Sequence, residues 1–128
     1  MSKRVVLIGH CGPDSSYLRM TISRVSREIN VSMVDDETEL QQVLGDGADL
    51  LLVNRTLDYG FQDSEGVQLI ARLRGSHPNL KMMLVSNYPE SQAAAQAAGA
   101  LPGFGKRELG SDRVASLIRD ALATESVR

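Results

Sequence analysis

Apolar runs and amphipathic stretches alternate along the whole chain. Val5-Val6-Leu7-Ile8 is a short, continuously apolar run rich in β-branched residues, the pattern of a strand buried on both faces. From Asp14 the period changes: Leu18, Ile22, Val25 and Ile29 share one helical face, and Arg19, Ser23, Ser26 and Asn30 share the other. Asp14 or Ser15 is the expected cap. A second strand is predicted over Val31–Val34. A short helix then runs from Asp35 to Gly45, with Leu40, Val43 and Leu44 inward and Gly45 or Gly47 closing it. The third strand is Asp49–Asn54, and a polar loop follows from Arg55 to about Ser64. The next helix buries Val67, Leu69, Ile70 and Leu73 and ends near Gly75. Leu80–Val85 reads as a fourth strand. Pro89 opens an alanine-rich helix that stops at Gly99, and a weak fifth strand lies around Ala100–Gly105. Ser111 or Asp112 begins a last helix with Val114, Leu117, Ile118 and Leu122 on its buried stripe.

Five such β-α units, with continuous apolar strands, predict an α/β fold: a parallel sheet covered by helices on both faces. The 128 residues suit one domain, 1–128, and leave no room for a second of normal size. A net charge of −2 gives no bulk attraction to nucleic acid or anionic membrane, and aromatics at 4% with no Trp argue against base-stacking platforms. No apolar run approaches the roughly 20 residues of a membrane span. A lone cysteine cannot form an internal disulfide, which points to a cytoplasmic location.

Three segments carry a family resemblance. Ala48-Asp49-Leu50-Leu51-Leu52-Val53 resembles the third strand of response-regulator receiver domains, which ends in the phosphoacceptor aspartate. Lys81-Met82-Met83-Leu84-Val85-Ser86 is similar to their fourth strand, ending in a hydroxyl residue. Gly99-Ala100 through Lys106 is similar to the segment carrying their lysine. The resemblance implies a flavodoxin-like (CheY-like) five-stranded sheet of order 2-1-3-4-5, with a functional crevice at the carboxyl ends of strands one, three, four and five.

Residue by residue, that family's chemistry does not carry over. Its cation-binding acidic pair falls on Gly9 and His10, and its phosphoacceptor on Asn54. Only Ser86 and Lys106 match. Arg107 replaces the usual proline after the lysine, and Gly103, beside Phe104, replaces the aromatic switch residue. The loop before Gly66 is also longer than usual. An amide has neither the charge nor the nucleophilicity to form an acyl phosphate. Mg²⁺ requires hard oxygen ligands, which Gly9 and His10 do not offer. At ~4 Å and an effective dielectric near ~20, each lost carboxylate removes roughly 4 kcal/mol of attraction for a monovalent cation. The expectation is a degenerate pocket of Gly9, His10, Asn54, Ser86 and Lys106 with no metal, no cofactor and no catalytic residue. Lys106 is expected to bond the Asn54 carbonyl oxygen; the alternative is that Asn54 and Ser86 simply satisfy backbone groups at the strand ends. Asp14, Asp35, Asp58 and Asp63 read first as caps and solvated loop residues, with refilling of the pocket from a distance as the alternative.

Cys11, in Gly9-His10-Cys11-Gly12-Pro13-Asp14, precedes a helix amino terminus whose dipole favours a thiolate. The segment is loosely similar to the cysteine loops of phosphotransferase IIB proteins and small tyrosine phosphatases. The phosphatase arginine, six residues after the cysteine, is here Tyr17. A redox or metal role with His10 has only two adjacent ligands. The favoured reading is a tight turn at Gly12-Pro13 with a half-buried thiol.

With chemistry removed, function is expected on a surface that binds a protein partner, with a second copy of the chain as the other candidate. The alanine-rich helix, with few large anchors, is expected to be relatively mobile, and Tyr88, Ala94, Ala98 and Phe104 mark this face. Tyr59 and Phe61 sit on the long loop, either exposed for recognition or folded back over the pocket. Arg19, Arg24 and Arg27 read as a solvated face. The leading function is a phosphorylation-independent receiver-like signalling module. The alternatives are a small-molecule or anion sensor using the same pocket, or a Cys11-dependent phosphocarrier or phosphatase.

Overall fold

A computed structural model describes residues 3–57 and 60–123. Five strands form one parallel sheet: β1 (Arg4–Ile8), β2 (Asn30–Val34), β3 (Leu50–Asn54), β4 (Met82–Val85) and β5 (Leu101–Phe104). Their order is β2-β1-β3-β4-β5. This is the flavodoxin-like order implied by the resemblance, with β1 and β3 adjacent at the centre and a crossover on either side of them.

Five α-helices cover the sheet: α1 (Gly12–Val25), α2 (Glu37–Asp46), α3 (Gly66–Ser76), α4 (Pro89–Ala97) and α5 (Asp112–Ala123). Alternate strand residues divide between two cores, as the period of two in a strand requires. Val5, Leu7, Leu50, Leu52, Met83 and Val85 pack with Leu18 and Ile22 of α1 and Val114, Ile118 and Leu122 of α5. Val6, Ile8, Leu51, Val53, Met82 and Leu84 pack with Leu40 of α2, Leu69, Ile70 and Leu73 of α3 and Ala95 of α4. No described helix is long and apolar enough to cross a membrane.

Several local expectations shift. α1 begins at Gly12, with Cys11 as its N-cap, so neither Asp14 nor Ser15 caps it; Pro13 supplies the preset φ of a first turn instead. Gly12-Pro13 is therefore the start of a helix and not a free-standing turn, and Cys11 is exposed rather than half-buried. α2 is capped by Asp36, which accepts from the Glu39 N–H at 2.8 Å, and closes on Gly47. A single 3₁₀ turn, Lys106–Glu108, follows β5.

Phe104, expected on a partner surface, is a core residue, and Phe61 takes the folded-back position over the pocket and not the exposed one. Phe104 is 1% exposed, packed among the α5 residues, and Phe61 is 8% exposed, folded against the core under α2 and α3. Burying an aromatic ring gains more than presenting it to water, and both rings have an apolar slot within reach. Tyr59 lies outside the described residues. Phe104→Ala is expected to lower stability by about 3–5 kcal/mol in urea unfolding, the range for a deleted core aromatic; a loss typical of a surface position, about 0.5 kcal/mol, would contradict its burial.

Candidate functional site

The carboxyl ends of β1, β3, β4 and β5 converge on one crevice, and the five predicted pocket residues all lie there. Gly9, His10, Asn54 and Lys106 line a hollow of about 310 Å³ together with Cys11, Asp14, Asp35, Thr56 and Phe61. Asn54, Ser86 and Lys106 also line an adjoining hollow of about 180 Å³ with Arg55, Thr56, Asn87 and Tyr88.

Asn54 sits at the end of β3, and its side-chain nitrogen donates to two carbonyl oxygens, Gly9 O at 3.1 Å and Thr56 O at 2.9 Å. Two acceptors at one terminus fix which end of the amide is nitrogen. The bonds tie the end of β1 to the start of the loop after β3. A carboxylate there would accept only and would face two oxygens with none of its own hydrogens.

Gly9 is in the left-handed region, φ +74°, and a Cβ built on it would stand 2.6 Å from Leu57 Cδ2. Leu57 and Phe61, both buried, thus occupy the space beside residue 9. The long loop holds them there: Leu57 N donates to Ser64 O, Glu37 N donates to Gly60 O, and Arg72 bridges Glu37 and Asp63 at 2.9 and 2.8 Å. The place of one metal-binding carboxylate is taken by hydrocarbon. Asp63 is therefore a loop clamp and not a solvated residue.

Lys106 does not bond Asn54. Its ammonium lies 2.7 Å from Asp14 Oδ2 on the first turn of α1, because a full negative charge outcompetes a neutral amide for an ammonium group. Asp14 is consequently neither cap nor bystander, and with Asp35 it brings carboxylate to a crevice whose five aligned positions hold none. The Lys106 hydrogen bond holds the Asp14 carboxyl below its ordinary pKa, helped by the Cys11 thiol and opposed by partial burial. With the two side chains 38% and 24% exposed, the pair contributes about 1 kcal/mol at most.

His10 turns inward and is 6% exposed. Its Nε2 is 2.8 Å from Leu52 O; a carbonyl only accepts, so Nε2 carries the proton. Nδ1 is buried with no hydrogen-bond partner. Burial pushes the His10 pKa below 6.5, and the nearby Lys106 acts in the same direction, against the Leu52 bond and the Asp14 charge. Among the described residues, no cluster of three or more His, Cys, Asp or Glu side chains could hold a metal ion.

Ser86 is buried, accepts from Tyr88 N at 3.1 Å and keeps its O–H free to donate. Tyr88 is 49% exposed and lies under the Arg55 guanidinium, 4.7 Å from ring centroid to Cζ. On α4, Ala94 is exposed and Ala98 partly so. The helix nevertheless has an anchor that the alanine pattern hides. Gln92 Nε2 lies 2.9, 3.1 and 3.3 Å from the carbonyls of Leu84, Ser86 and Phe104. A Cβ on Gly103 would collide with that amide and with Leu84 O, so the glycine at the aromatic-switch position makes room for Gln92. A polar residue in an alanine helix was the only available signal, and it does not reveal its direction. Arg55 and Leu57 are site residues that no sequence pattern singles out, whereas Asp14 takes the alternative role of supplying charge to the pocket.

No protein-family model matches the sequence, and no curated protein matches it. Solved structures do. The signal receiver domain of a DNA-binding response regulator (merR) from Colwellia psychrerythraea 34H is 12% identical, with a TM-score of 0.75 over 96% of this chain and 100% of that one. The signal receiver domain of an HD domain-containing protein from Pseudomonas fluorescens Pf-5 is 19% identical, with a TM-score of 0.77 over 95% and 88%. NtrX from Brucella abortus is 18% identical, with a TM-score of 0.78 over 96% of this chain and 27% of that one. The chain has the receiver-domain fold.

Two outcomes are expected. Asn54→Asp lowers stability by about 2 kcal/mol or more, because two donated bonds become two oxygen–oxygen contacts; equal denaturation midpoints at neutral pH would contradict the donor geometry. For His10, the folded pKa lies below the unfolded 6.5, so the unfolded chain binds more protons between the two values. Stability is therefore full above about pH 6.5 and falls as the pH drops toward the folded value. Thermal melts between about pH 7.5 and about pH 5.5 should show this loss in the wild type and less of it in His10→Gln, which keeps a donor for Leu52 O.

Proposed function

We propose that this protein is a receiver-like signalling module that works without phosphorylation, by binding a protein partner. The observation that carries the reading is the Asn54 amide, which donates to Gly9 O and Thr56 O. Phosphoryl transfer to this position requires a free, anionic oxygen at the end of β3, and the residue there presents a committed donor. The surroundings support the same reading. Leu57 fills the space beside Gly9, and Lys106 is engaged by Asp14. On this reading the domain holds one arrangement and has no catalytic residue. A cytoplasmic location belongs to the same reading, resting on the lone cysteine.

The partner surface then centres on Tyr88 with its stacked Arg55, continued along α4 by Ala94, whose small side chain permits close backbone approach; Ala98, at the helix end, packs against the core instead. An aromatic ring backed by a guanidinium is the composition of an interface hot spot. A second reading, an oxyanion sensor, is favoured by one feature. The hollow between Ser86, Thr56 and Asn87 has Arg55 and Lys106 at its rim and no carboxylate among its lining residues.

Incubation with acetyl phosphate and Mg²⁺ should leave the intact mass unchanged. Gain of a phosphoryl group by the wild type, absent from Asn54→Ala, would overturn the proposal. In the same samples, inorganic phosphate should not raise the melting temperature; a rise that Lys106→Ala and Arg55→Ala each remove would favour the sensor instead.

A further inference from the structure

We infer that the groove between α1 and the edge strand β2 is a second docking surface, one that takes an extended, acidic and apolar segment of a partner protein as an added strand. The surface lies at the opposite edge of the sheet from α4 and Tyr88, and it stands independently of the reading above.

β2 is the last strand of the sheet on its side. Asn30 N bonds Lys3 O and Val34 O accepts from Gly9 N, so the even-numbered residues of β2 face β1. In a parallel ladder the N–H and C=O groups of Val31 and Met33 then point away from the sheet. No hydrogen bond to them is present among the described residues. Natural edge strands are commonly blunted with lysine, proline or a bulge. β2, reading Asn30-Val31-Ser32-Met33-Val34, has none of these, and its register against β1 is unbroken.

Above this edge, on the α1 side, runs a groove of about 370 Å³ floored by Ile22, Ile29 and Val31. Met33, two residues beyond Val31 and on the same face, is 38% exposed, and Met20 on α1 is 63% exposed. Arg19 and Arg27 line the groove and have no ion pair or side-chain hydrogen bond among the described residues, whereas Arg24 is engaged by Gly110 O and Asp112. No acidic residue lines the groove; Glu28 lines the neighbouring hollow with Lys3 and Arg119.

These features select the occupant. Free backbone groups at an edge call for an extended strand, and flexible methionines beside apolar walls suit aliphatic side chains. Two unpaired arginines call for carboxylates on the face that turns toward α1. A second copy of this chain fits poorly, because its own edge strand carries no acidic residue and would bring the same two arginines.

The test uses a fluorescein-labelled peptide of alternating glutamate and valine, read by anisotropy, with a lysine–valine peptide and a single-stranded oligonucleotide as controls. The acidic peptide is expected to bind, with Arg19→Glu plus Arg27→Glu weakening it by roughly tenfold or more. Both positions are exposed, so circular dichroism and melting should be unchanged in that variant. Amide exchange should slow at Val31 and Met33 on binding and remain unchanged at β5. Several results would overturn the inference: no binding, equal affinity for either control, unchanged affinity in the double variant, or protection at β5. Self-association of the peptide-free protein, abolished by the same substitutions in sedimentation, would overturn it in favour of a second copy.

Discussion

Everything in the crevice depends on what stands at the end of β3 and what stands opposite it. Asn54 reaches the backbone of β1 and the backbone of the following loop with one nitrogen, and a donor is the only group that can bridge two carbonyls. The bridge keeps the loop close to Gly9, and Gly9 tolerates the approach because its left-handed backbone carries no side chain to meet Leu57. Amide, glycine and leucine are one device. A carboxylate at position 54 would lose the bridge, and a side chain at position 9 would meet Leu57.

The charges around that device are balanced, though by unexpected partners. The ammonium of Lys106 is met by Asp14 from the first turn of α1 and not from the strand ends. Beside it His10 is buried, tied to Leu52 O and biased toward its neutral form. A neutral imidazole avoids the cost of a buried cation beside the Lys106 ammonium, which is itself partly exposed. The long loop adds a second restraint outside the crevice, through Arg72 with Glu37 and Asp63.

The two edges of the sheet differ in what they present. Near β5 the helix α4 is pinned by Gln92 and presents small side chains beside Tyr88. At β2 the backbone is open, with methionines and arginines about it. The first edge has a closely packed face and the second an open ladder, so the two surfaces proposed above are separate.

The order of elements and the inward residues could be read from the sequence because hydrophobic period is local: Val5–Ile8, Leu50–Val53 and the stripe of α5 declare themselves within a few positions. The absence of an attacking oxygen at position 54 could be read too, since residue type alone decides it. Tertiary structure decided the rest. Whether Lys106 meets Asn54 or Asp14, whether Phe61 and Phe104 face water or core, and whether Gln92 points in or out all turn on distances between segments far apart in the chain. Periodicity says which face of an element is apolar; it does not say which polar group on a neighbouring element lies within reach of a hydrogen bond.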